Sequence, residues 1–127
     1  MRNHEIAMLT FARLARISHE TPNPAGRDRF LVLTGREACL AGWLEVASRC
    51  RDLVLAGNVH HFLSQSGSFP DSIRDKSNAG YFATFDSFCS FEQAEHLLSQ
   101  NGEPIDDSPD DAGRAALQEL ASLEAAT

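Results

Sequence analysis

The chain has no apolar run long enough to span a bilayer. Its longest strongly apolar stretch is Phe30-Leu31-Val32-Leu33, far short of the roughly 20 residues a spanning helix needs. The segment Ala7 to Ala12 is too short for a secretory hydrophobic region and is followed by Arg13 and Arg16, while Glu5 and Glu20 oppose a transit-peptide reading. There are only three cysteines, Cys39, Cys50 and Cys89, and their odd number and wide spacing exclude a disulfide framework. That usage suits a reducing compartment, so a cytoplasmic protein is expected. Lysine is nearly missing: ten of the eleven basic residues are Arg, and they form no run or cluster. A phosphate-backbone footprint is therefore not visible, and neither nucleic acid nor a membrane is expected as a partner. Gly-rich phosphate loops, nucleotide fingerprints and Gly-x-Ser-x-Gly elbows are missing too.

What the 127 residues do contain is an ordinary globular composition, 43% hydrophobic and 23% charged, sized for one domain. The net charge of −7 is unevenly spread. Residues 1–76 hold ten basic and eight acidic side chains, a balance of +2, and residues 77–127 hold one basic and ten acidic, a balance of −9. The second half would repel nucleic acid and anionic lipid.

The hydrophobic pattern is helical throughout. Ala7, Met8, Phe11, Leu14 and Ala15 share one face of a first helix over about 3–18, ended by Thr21-Pro22-Asn23-Pro24-Ala25-Gly26. Leu40, Trp43, Ala47, Cys50 and Val54 follow a 3, 4, 3, 4 rhythm. With Thr34 and Glu37 as a capping box and Gly57-Asn58 as the stop, they predict one central helix at about 35–56, with Gly35 favouring a break from the run before it. The same unbroken stripe argues against a helix-turn-helix at Gly42. A short helix is expected at 59–65, a turn at 66–70, a weak helical piece at 71–76 and a loop at 75–80. Residues 79–100 read as two helices, because Ser90 and Gln93 form a second capping box, with Asn101-Gly102 closing the pair. An acidic linker at 103–108 precedes a C-terminal amphipathic helix at about 109–124, capped at Ser108 with Pro109 in its first turn. The expected fold is all-α, a compact irregular bundle of five to seven helices in a single domain over residues 1–127.

Seven of the ten aromatic residues, Phe62, Phe69, Tyr81, Phe82, Phe85, Phe88 and Phe91, fall within thirty positions. Phe82, Phe85, Phe88 and Phe91 recur every three residues, and each step of three turns an α-helix by about 300°, so the rings drift around it. They either fill the core where short helices meet or leave an apolar patch, which marks a partner site. His60, His61, Glu92 and His96 are the candidate metal or small-molecule ligands, although adjacent histidines point about 100° apart and no HExxH motif is present. Cys89, near a helix start, is the one cysteine whose position could lower its pKa. The acids at 106–111 lack the alternation and closing Glu of a calcium loop and read as a solvated linker with a helix cap.

No catalytic constellation emerges and no cofactor is expected. The sequence leads to a non-enzymatic interaction or regulatory module whose partner surface involves Phe82, Phe85 or Phe88, framed by acids, either for a protein partner or for self-association. The alternative is a small-molecule or metal site on His60, His61, Glu92 and His96.

Overall fold

The computed structural model describes residues 3–21, 23–102 and 111–125. Among the described residues there are seven α-helices, two short 3-10 turns and no strand, so the protein is an all-α bundle. No helix of the described residues is long and apolar enough to cross a membrane.

Helix α1 runs His4–Glu20, and the Asn3 side chain caps it by accepting from the N–H groups of Glu5 and Ile6. The apolar face read from the sequence is there, but Leu9, Thr10, Ala12 and Ser18 are buried as well. A helix buried on so much of its circumference is central, and α1 packs against α2, α6 and α7. The centre of the bundle is therefore α1 rather than the segment 35–56.

Helix α2 runs Pro24–Ala41. Pro24 and Gly26, read as part of a breaker, open this helix: a proline in the first turn removes no hydrogen bond, and Asn23 caps the end by accepting from the Gly26 N–H. Thr34 and Glu37 form no capping box, because both lie inside the helix. The Thr34 hydroxyl donates to the Phe30 carbonyl at 2.7 Å, and the fully buried Glu37 carboxylate meets His4 Nδ1 at 2.5 Å. Gly35 does not break the helix either; its missing side chain leaves a notch for the Phe69 ring.

The predicted single helix over 35–56 is two helices. Gly42 stands in the left-handed region at φ 89°, and the Trp43 N–H reaches back to the Ala38 carbonyl, a standard helix-ending pattern. Helix α3, Leu44–Gly57, then packs on α2 and buries Val46, Ala47, Cys50 and Val54. The turn at Gly42 that the apolar stripe argued against is thus present. The apolar rhythm passes through the turn only in the sequence: Leu40 sits on its stripe yet is 53% exposed, and Leu44, just past the turn, is 57% exposed. The arginines of α3 are engaged within the fold, Arg49 with Glu124 at 2.8 Å and Arg51 with the Ser66 carbonyl at 2.9 Å.

The expected helix at 59–65 is a 3-10 turn, Phe62–Gln65. Helix α4 is Phe69–Arg74, starting earlier than expected because Ser68 caps it and Pro70 fits its first turn. A 3-10 turn at Lys76–Asn78 replaces the expected loop, and the buried Asn78 amide donates to the Ser72 carbonyl. Helices α5, Ala79–Phe88, and α6, Phe91–Gln100, are separate as expected. Both bonds of the Ser90–Gln93 capping box are made, and Gly102 closes α6 at φ 74°. Helix α7, Ala112–Ala125, packs on α1 and α3, with Arg16 Nε 2.6 Å from Glu119. Asp111 accepts from the Arg114 N–H at its start. The linker at 103–108 and the expected cap at Ser108 lie outside the described residues.

Candidate functional site

The drift of α5 divides its rings between two environments. Phe82 and Phe85 are half-buried and pack on the core around Phe62, with ring centroids 5.6 and 6.1 Å from it. Tyr81 stacks on the same Phe62 ring at 4.6 Å but remains 52% exposed. Phe88, the last residue of α5, turns the other way. Its ring lies 5.2 Å from Phe30 of α2, carries the Arg29 guanidinium 5.0 Å above it, and is 36% exposed. Of the three candidate rings, Phe88 is therefore separated from Phe82 and Phe85.

Phe88 borders a groove of about 510 Å³ lined by Phe30, Phe88, Cys89, Glu92, Gln93, His96 and Leu97. Local chemistry builds its walls. The α5 helix stops at Phe88, where Cys89 is extended, and the Ser90–Gln93 box starts α6 at once. On α6, Glu92 and His96 lie one turn apart, as do Gln93 and Leu97, so these four side chains form one wall. The opposite wall is α2, and an Arg36–Asp86 ion pair at 2.7 Å ties α5 to it. Arg36 is mostly buried, so this pair works in a partly desolvated setting.

Of the candidate ligands, Glu92 and His96 meet in this groove, while His60 and His61 belong to the turn after α3. Among the described residues no three His, Cys, Asp or Glu side chains converge enough to hold a metal ion, so the four do not form a metal centre. Phe30 and Leu97 were not singled out from the sequence as site residues. Leu97 follows Gln93 by one helical turn, a weak local signal, whereas Phe30 comes from a distant helix and left none.

Cys89 lines the groove but is buried, and its thiol donates weakly to the Ser90 carbonyl at 3.4 Å. Burial pushes its pKa up, against the direction expected from its place near a helix start. Burial likewise raises Cys50, and it pushes Cys39 up to about 11, with Arg74 opposing. None of the three thiols is activated as a thiolate.

His61 has a structural role. Its Nδ1 accepts from the Leu63 N–H at 3.3 Å, capping the 3-10 turn, and its ring rests 4.6 Å from Phe62. Burial lowers its pKa, with Asp28 opposing. The unfolded chain then binds the proton more readily than the folded one. The stability this residue supplies is present above the ordinary His pKa of about 6.5 and is lost as the pH falls below it. His61→Asn, which keeps a capping acceptor without titrating, is expected to flatten the acid side of the stability profile in urea unfolding. Parallel profiles for the two proteins would remove this role from His61.

Comparison with known proteins gives no matching family, no matching curated protein and no matching solved structure.

Proposed function

We propose that the protein is a non-enzymatic interaction module that binds a protein partner through the groove between α2, α5 and α6. The observation that carries this reading is Phe88, a large ring left exposed at the edge of a concave, mainly apolar surface. An aromatic anchor beside a groove is the usual centre of a recognition surface, because its burial on binding removes much apolar area from water. The unactivated thiols and scattered histidines supply no competing chemistry, and the unbridged cysteines suit a reducing interior.

A second reading keeps the same groove for a small molecule. Its volume falls within the common range of about 300–1,000 Å³ for ligand sites, and Glu92, Gln93 and His96 are a small set of converging polar groups. One experiment separates the two. A photo-crosslinking side chain in place of the exposed His96, in cells, is expected to trap a defined protein, and Leu97→Gln is expected to abolish that product. Native mass spectrometry of the untagged protein is run alongside. A retained small molecule that Leu97→Gln removes, with no crosslinked protein, would replace the interaction reading with the ligand reading.

A further inference from the structure

We infer that the occupant of the α2–α5–α6 groove is a basic amphipathic helix of the partner protein, an inference that rests on the interaction reading above. Shape comes first. The α6 wall from Glu92 to Leu97 extends about 7.5 Å along the helix axis, between one and two turns. Such a wall accepts one set of apolar side chains spaced i, i+3, i+4 on an approaching helix, entering between Phe30, Phe88 and Leu97. Among the described residues there is no strand, so this surface has no sheet edge on which an extended peptide could pair.

Charge then selects the helix. The α6 helix carries Glu92 and Glu95 and no Lys or Arg, and Glu92 stands in the groove wall with its side chain exposed. Asp86 on α5 is half-exposed although paired with Arg36. Together α5 and α6 carry three acids, Asp86, Glu92 and Glu95, and no Lys or Arg. The cation bordering the groove, Arg29, is already placed over the Phe88 ring. An incoming helix with Lys or Arg beside its apolar stripe meets complementary charge along α6, and an acidic helix or a polyanion meets repulsion there. An anionic amphiphile would find a counter-charge at the Arg29 end.

The test uses the intact protein and two synthetic helical peptides of about five turns. Both place Leu at i, i+3, i+4 and i+7; one carries Lys elsewhere, the other Glu. Amide chemical shifts locate binding and fluorescence anisotropy measures it. The Lys peptide is expected to move the amides of Phe30, Phe88 and Glu92 to Leu97, and to bind about fivefold more weakly to Glu92→Gln/Glu95→Gln, two changes at solvent-accessible positions that leave the core untouched. Rising salt is expected to weaken it further. Leu97→Gln is expected to remove binding, and the surface double variant keeps the test decisive if Leu97→Gln fails to fold. Equal binding of both peptides at the groove would overturn the basic occupant and leave the interaction reading standing. Binding of the Lys peptide undiminished in the double variant would overturn the basic occupant as well. If neither peptide moves the groove amides and decanoate does, both the occupant and the interaction reading fall.

Discussion

Phe69→Ala is expected to lower the free energy of unfolding by about 3–5 kcal/mol, a large share of the 5–15 kcal/mol typical of a domain. The residue opens α4, a helix of six residues, yet its side chain is 1% exposed and among the largest fully buried in the protein. It fills the notch at Gly35: a Cβ built there would lie 2.2 to 2.8 Å from three atoms of the Phe69 ring. Helix propensity alone says that Gly35→Ala, inside α2, should stabilise by about 1 kcal/mol. The contact reverses the sign, because ring or helix must shift, and the expected cost is about 1–3 kcal/mol. The two residues are therefore strongly coupled. In the Phe69→Ala background the notch is empty, and Gly35→Ala is expected to be neutral or stabilising by up to about 1 kcal/mol. Gly80 in α5 is the control, since a Cβ there meets nothing within 4 Å and alanine should gain about 0.5–1 kcal/mol. Urea unfolding of the four variants measures all of this. A stabilising Gly35→Ala in the wild-type background would refute the packing of α4 on α2.

The second large effect concerns the corner between α2 and α3. Gly113→Ala in α7 is expected to destabilise by about 1–3 kcal/mol and to shift Trp43 emission to the red. The added Cβ would lie 2.2 to 2.4 Å from three atoms of the Trp43 ring. Trp43 also donates from its indole N–H to Glu5 at 3.1 Å, so one side chain joins the start of α1, the α2–α3 turn and α7. Moving it off Gly113 loosens all three. Because Trp43 is the single tryptophan, its emission reports the corner directly. Unchanged emission together with raised stability would show that α7 does not press on this corner.

The parts of the candidate site that could be read from the chain are those built within one or two turns. The break between α5 and α6 was legible because three-residue spacing of rings cannot remain on one helix face and because Ser90 and Gln93 make reciprocal bonds over three residues. That same local logic placed Glu92 and His96 one turn apart on a single face. It could not place Phe30 opposite them, since that wall depends on how α2 lies against α5. Nor could it separate Phe88, at the groove, from Phe82 and Phe85, which turn towards Phe62.

The sharpest contrast lies in two glycines of α2 and its end. Gly35 and Gly42 are chemically identical, and either could stop a helix, since glycine costs only about 1 kcal/mol against alanine in a helix interior. The residues around them favoured a break at the first and continuity through the second, and the fold has the reverse. Gly35 stays helical because the Phe69 ring from α4 occupies its bare face. Gly42 turns left-handed because folding α3 back on α2 buries Val46, Ala47, Cys50 and Val54. The helical class, the capping of α6 and the one apolar face of α1 follow from bonds and periodicities within a few residues, strong enough to be written locally. Which helix became central, where the second one ended and which ring stayed at the surface were settled by contacts between distant segments, whose combined burial outweighs a preference of about 1 kcal/mol at any one position.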